Sequence, residues 1–394
     1  MNRWLLPDGV DEMLPPQAWK SEYLRRTLLD LYRGWGYELI SPPLIEFLES
    51  LYTGTGNDLD LQTFKLTDQL SGRMMGVRAD ITPQAARIDS HSLKRKGINR
   101  LCYADAVLHT KPQNQLKGRT PFQVGCELFG SSALGSDIEV LRLMIETLKA
   151  AQAPQIHIDL SHVGISRSLL DHSSIPKDLS RRLRDAMARK SLPDLSAIVK
   201  ESSVPEFVAE QILALPLLTG DEAILEKARE VLNTAEPQVD QALTQLKSIG
   251  QKLASLYPEV SVSFDLCELR GYNYHTGLVF TGFGDLSGMP VAKGGRYDSI
   301  GRDFGRPRPA TGFSVDLKSL VQYLDRAPQS DKIFAPFVED SDLDELVNEL
   351  RKGHIILQAV DTGSDLEENA EKSGCSRQLV KIDGAWQIVP VSER

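Results

Sequence analysis

The chain has 394 residues, 41% of them hydrophobic and 25% charged, which is ordinary globular usage with room for two or three domains and argues against disorder. A formal net charge of -9 argues against broad binding to polyanions, because neutralising many phosphates takes an excess of lysine and arginine on one face. The four cysteines, Cys102, Cys126, Cys267 and Cys375, lie far apart with no CxxC pair, so the usual zinc and thioredoxin-like readings fall away and reduced, buried thiols are expected.

Residues 17 to 35 place Leu24, Leu28, Leu31, Tyr32 and Trp35 at helical spacing, with Gly34 and Gly36 ending an amphipathic helix. Residues 37 to 46 read as a strand broken by Pro42 and Pro43, suited to an edge or a chain crossing. A hairpin turn over 68–73 leads into a strand at 74–77, and a helix then starts with Thr82 as N-cap and Pro83 at its first position. Strands at 101–108 and 122–129 flank a polar loop, and a helix covers 136–151. Between about 164 and 256 helical periodicity punctuated by prolines marks a helical insertion.

Strand patterning returns at 260–266 and 277–283, Gly294 to Asp298 reads as a tight turn, and 309–320 as strand into helix. Arg302, Arg306 and Arg308 follow that turn and read as solvated charges, with a place in the lining of a pocket as the alternative. Mostly antiparallel strands with helices gathered to one side give an α+β class. After residues 328–331 a small α/β domain, 331–394, carries strands at 332–338 and 355–360, a helix at 343–351 and a hairpin turning at Asp383 and Gly384. The amino terminus is too short and polar for a signal peptide, and no apolar run approaches the roughly 20 residues of a membrane span; a cytoplasmic protein is expected, with no membrane association.

Residues 268 to 280 combine Glu268, Arg270, Tyr272, Tyr274 and His275 within one short stretch, a composition suited to gripping a small zwitterion with an aromatic or imidazole side chain. Asp80 and Thr82 stand at the junction of a strand and a helix, where amides and side-chain oxygens converge and an ammonium fits; as plain structure Thr82 caps the helix and Asp80 favours its dipole. Gln123 and Glu127, four residues apart on a strand, point to one face of the sheet.

Taken in order, residues 38–46, 78–88, 122–127, 269–280, 294–298 and 309–320 resemble the motifs of class II histidyl-tRNA synthetases over roughly residues 1–325. The resemblance implies a class II synthetase-type antiparallel sheet of six or more strands flanked by helices, a dimer built through the first motif, and a histidine site. Onto that site it maps Asp80, Thr82, Gln123, Glu127, Arg270, Tyr274, His275 and Tyr297. By it, Glu127, Asp80 or both take the ligand ammonium, Arg270 its carboxylate, and Tyr274, His275 or Tyr297 its imidazole.

The departures from the synthetase pattern bear on function. Where those enzymes hold ATP with two arginines, this chain has His109 and Ser319, and losing one such contact to a charge-developing phosphate costs about 3–4 kcal/mol. The motif that ends in two tyrosines in the synthetases reads Arg270-Gly-Tyr-Asn-Tyr-His275 here, and the carboxy-terminal piece lacks the length of an anticodon-binding domain. This combination resembles the synthetase-like family of ATP phosphoribosyltransferase regulatory subunits. That resemblance implies a non-catalytic protein with no catalytic residues, cofactor or metal. It also implies assembly with the short-form catalytic subunit, as a homodimer within a hetero-octamer, L-histidine as effector, and no tRNA. An active histidyl-tRNA synthetase and a ligand-free interaction module are the competing readings.

Overall fold

The computed structural model describes residues 4–52, 57–112, 118–171, 175–232, 237–269, 272, 274–285, 288–325, 331–361 and 366–391. It divides into two compact units, Met1–Asp325 and Arg326–Arg394.

The first unit opens with the helix Gln17–Gly34, whose apolar stripe buries Leu24, Leu28 and Tyr32. Twelve strands follow: β1 (Glu38–Leu39), β2 (Ile45–Phe47), β3 (Phe64–Thr67), β4 (Met74–Val77), β5 (Asn99–Ala106), β6 (Phe122–Phe129), β7 (His157–His162), β8 (Thr219–Gly220), β9 (Ser261–Asp265), β10 (Leu278–Phe283), β11 (Pro290–Arg296) and β12 (Ala310–Asp316). Nine of them form one sheet in the order β1-β5-β6-β12-β11-β10-β7-β9-β8. Its pairings are antiparallel except β1 with β5 and β7 with β9. The prolines at 42 and 43 divide the expected strand in two: β1 joins this sheet, whereas β2 pairs with β4 in a separate three-stranded sheet.

The helix Leu134–Ala150 buries Val140, Leu141, Met144, Ile145 and Leu148 and shares a core with Leu24, Leu28 and Tyr32 of the first helix. The helices between 163 and 256 contribute Ile165, Leu183, Ile212, Leu243 and Leu246 to that same core. The helical insertion therefore shares the core of the unit, and it is not wholly helical, since β8 pairs with β9 at the sheet edge.

One expectation fails on backbone geometry. Residues 294 to 296 are no turn but the end of β11, in register with 311 to 313 of β12. The glycines answer to crowding, since a Cβ on Gly294 would run into the Gly312 carbonyl and the Phe280 ring. Of the three arginines that follow, Arg308 is buried against Asp89 at 3.0 Å, Arg306 donates to the Arg95 carbonyl, and the side chain of Arg302 lies outside the described residues.

The second unit is a four-stranded mixed sheet of β13 (Lys332–Ala335), β14 (Ile355–Gln358), β15 (Arg377–Ile382) and β16 (Ala385–Pro390), in the order β14-β13-β15-β16. The turn between β15 and β16 needs left-handed backbone at both central positions, and Asp383 and Gly384 supply it with φ of 50° and 83°. Asp340 caps the helix Ser341–Leu350 by accepting from the Asp342 and Leu343 amides. A further helix, Leu366–Lys372, carries no strong apolar period and was not expected. Ile333, Ala335, Leu343, Val347 and Leu379 form a core of this unit's own.

Candidate ligand site

On one face of the large sheet, β6, β11 and β12 floor a cavity of about 340 Å³, within the usual range for small-molecule sites of about 300–1,000 Å³. Strand geometry decides which residues meet there. Gln123 and Glu127 share a face of β6, and Glu127 sits in register with Gly312 of β12, where any Cβ would collide with its carboxylate. Glycine at 312 thus makes room for a carboxyl 1% exposed in the sheet.

Glu127 is held from two sides. Tyr103 donates to its Oε1 at 3.0 Å and Tyr297 donates to its Oε2, while Thr82 Oγ1 lies 3.2 Å from the Tyr103 hydroxyl. Burial pushes the carboxyl up to about 8, the hydrogen bonds from Tyr297, Thr82 and Tyr103 pulling the other way. Burial thus favours the protonated form of Glu127 at neutral pH. Tyr103 was not singled out from sequence. The signal was Gly125, in register with Tyr103: a side chain there would occupy the place of the tyrosine ring.

Toward the other end of the strand, Asp80 Oδ1 accepts from the Thr82 amide at 3.0 Å and from Gln123 Nε2 at 2.8 Å, and Gln123 Oε1 accepts from the Ile81 amide. The cap expected of Thr82 is thus provided by Asp80. Thr82 is already inside the helix Thr82–Arg87, and its hydroxyl is turned to the tyrosine. A carboxylate two residues earlier reaches the Thr82 amide, leaving the Thr82 hydroxyl available to the cavity.

Tyr274 stacks on Tyr297 with ring centroids 5.0 Å apart and meets His275 edge-on at 5.2 Å. Burial holds the His275 imidazole down to about 4, so the ring is neutral. Gly295 lies under it, where a Cβ would stand 2.7 Å from Nδ1. Among the described residues the Tyr274 hydroxyl, His275 Nδ1 and His109 Nδ1 are buried without a partner, and all three residues line the cavity. Buried polar atoms left unpaired cost about 1–3 kcal/mol each, so their gathering at one cavity points to a polar ligand.

Of the eight residues mapped from the resemblance, Asp80, Thr82, Gln123, Glu127, Tyr274, His275 and Tyr297 line this one cavity. Arg270 lies outside the described residues. Among the described lining residues the only lysine is Lys293 and there is no arginine. His109 is fixed by Nε2, 2.9 Å from the Ala79 carbonyl. Ser319 lies in an adjoining hollow and donates to Asp316, with Asp11, Asp285 and Lys318 around it. Lys318 itself is taken up by Asp11 at 3.0 Å.

A class II synthetase-type sheet with an amino-acid-sized polar cavity defines a histidyl-tRNA synthetase-like protein, and the family model described as histidyl-tRNA synthetase matches residues 9–320. The model described as the ATP phosphoribosyltransferase subunit HisZ C-terminal domain matches residues 330–389. Among solved structures, one titled ATP phosphoribosyltransferase regulatory subunit/histidyl-tRNA synthetase from Bacillus halodurans superposes with a TM-score of 0.83 at 29% identity, covering 94% of this chain and 97% of its own. The curated ATP phosphoribosyltransferase regulatory subunit of Marinobacter nauticus is 51% identical over 392 residues, 99% of either chain, and that of Thioalkalivibrio sulfidiphilus is 51% identical over 386 residues, 96% of either. The chain belongs to the family of ATP phosphoribosyltransferase regulatory subunits.

Proposed function

We propose that this chain is the non-catalytic partner of a short-form ATP phosphoribosyltransferase catalytic subunit, that it activates that subunit at the first step of histidine biosynthesis, and that it carries feedback inhibition by binding L-histidine in the cavity on the β6–β12 face. The assembly is a hetero-octamer built on a homodimer of this chain, and the protein works in the cytoplasm without tRNA. The observation that carries the reading is an amino-acid-sized cavity with three carboxyls, Asp80, Glu127 and Asp316, neutral rings and unsatisfied polar atoms, beside a hollow whose one lysine among the described residues is already neutralised by Asp11.

Chemistry divides the ligand between the two ends of the cavity. Gln123 and Glu127 stand four residues apart on β6, roughly 13 Å along the strand, and mark the two ends of the cavity. Asp80, hydrogen-bonded to Gln123 and the Thr82 amide, suits the ammonium. Glu127, deep among Tyr103, Tyr274 and Tyr297 and favoured by burial in its protonated form, suits an uncharged imidazole, with which it exchanges a hydrogen bond as donor or acceptor. A triphosphate finds no arginine among the described lining residues to balance its charge.

For a ligand to regulate, its affinity must differ between active and inhibited assemblies, typically by about 1–3 kcal/mol. Turnover of the short catalytic subunit, assayed with and without this chain and then with added histidine, is expected to rise and then fall. Isothermal titration of the chain with histidine is expected to show saturable binding that Glu127→Ala abolishes. Histidine-dependent exchange of pyrophosphate into ATP is expected to be absent; its presence would make the protein a synthetase.

A further inference from the structure

Tyr274 and His275 lie outside regular secondary structure, yet a ring that grips a ligand must be held still by its backbone. The immediate hydrogen bonds run to the sheet: the Thr276 amide donates to the Arg296 carbonyl at 2.7 Å, and Thr276 Oγ1 accepts from the Asp298 amide at 3.0 Å. These bonds fix the segment on its C-terminal side, and the Tyr272 amide donates to the Leu269 carbonyl at 3.0 Å on the other.

The remaining constraint comes from outside the cavity. Arg167, on the helix Val163–Leu170, donates through Nη2 to the Tyr272 carbonyl at 2.6 Å and to the His275 carbonyl at 3.0 Å, so one guanidinium nitrogen bridges the backbone on either side of Tyr274. Its carbon sits 5.1 Å from the centre of the Tyr272 ring, and Arg184, on the helix Lys177–Ala188, sits 5.1 Å from the same ring. Arg167 itself faces a second cavity, of about 650 Å³, lined by His162, Asp171, Gln241, Gln245 and Thr276 among others. The clamp thus stands between the ligand cavity and an open polar hollow.

We propose that Arg167 is the positioning residue of the ligand site: by holding the carbonyls of Tyr272 and His275 it keeps the Tyr274 and His275 rings in place against Tyr297 and Glu127. It touches no ligand and acts through the segment it clamps. The proposal rests on the cavity reading above and adds a residue on the helical insertion that the motif comparison did not reach. A charged donor bridging two carbonyls is a strong pair of hydrogen bonds, and the stacked ring restricts the guanidinium further.

The test is isothermal titration of L-histidine into the full chain and into Arg167→Met and Arg167→Lys variants, with the ligand-free melting temperature of each. Arg167→Met is expected to weaken histidine binding about tenfold or more while melting within about 2 °C of the parent. Arg167→Lys, whose ammonium still donates to two carbonyls, is expected to recover most of the affinity. Parental affinity in Arg167→Met overturns the clamp and leaves the cavity reading standing; so does a loss that follows the fall in melting temperature and is not recovered by lysine. If the unmodified chain binds no histidine, the cavity reading fails and the clamp fails with it.

Discussion

Glu127 is the residue on which the cavity turns, and its environment makes a prediction about pH. Its folded-state carboxyl is pushed up to about 8 by burial, against an ordinary value of 4.5. A carboxyl raised on folding binds its proton more tightly in the native state, so its contribution to stability is complete below about 4.5 and is lost as pH rises through about 8. Glu127→Gln keeps the shape and removes the titration. Melting temperatures measured across that window are expected to fall less steeply with pH in the variant than in the parent; parallel curves would place the proton elsewhere. His275, held neutral by burial, has the opposite sign: its desolvated ring costs stability once the unfolded chain takes up a proton that the native ring refuses, so its contribution is lost on acidification below about 6.5.

At the level of elements, the site is a product of strand crossings and of glycines that let them close. Gly295 on β11 admits the His275 ring, and a Cβ there would also lie 2.7 Å from the Leu278 carbonyl, which belongs to backbone and yields little. Gly295→Ala is expected to destabilise the chain by about 1–3 kcal/mol and to weaken histidine binding, measured by urea unfolding and titration. The end of the same strand is anchored by Arg296, which reaches Asp137 in the first turn of the helix Leu134–Ala150 at 2.9 Å and also donates to the Ser131 carbonyl. Both partners are buried, so Arg296→Met strands a carboxylate in the core. A loss of about 3–5 kcal/mol in denaturant unfolding is expected, and Asp137→Asn in the same background is expected to restore part of it. Elements with a strong period were legible from sequence, among them the helix Gln17–Gly34, β5, β6 and the turn at Asp383 and Gly384. Gly294 to Asp298 misled, because a run with two glycines signals a turn when φ is free and a close strand crossing when a neighbour presses, and nothing local distinguishes the two.

Across the whole molecule, the two units keep separate cores, one built around the helices Gln17–Gly34 and Leu134–Ala150, the other around Ile333, Leu343 and Leu379. A chain ending at Asp325 is therefore expected to fold cooperatively and to bind histidine with the affinity of the full protein, which circular dichroism and titration check; loss of binding would tie the second unit to the site. Among the described residues no helix is long and apolar enough to cross a membrane. Read alone, the sequence determined the class of fold, because local period and residue chemistry are written in the order of the chain; the standing of His109 and Ser319 where the synthetases carry arginine came from the resemblance to that family. Only the tertiary structure decided that Gly312 makes room for the Glu127 carboxyl and that Arg167 holds the carbonyls of Tyr272 and His275. Those depend on register between strands and on contacts spanning more than a hundred residues, and such contacts leave no local trace in sequence.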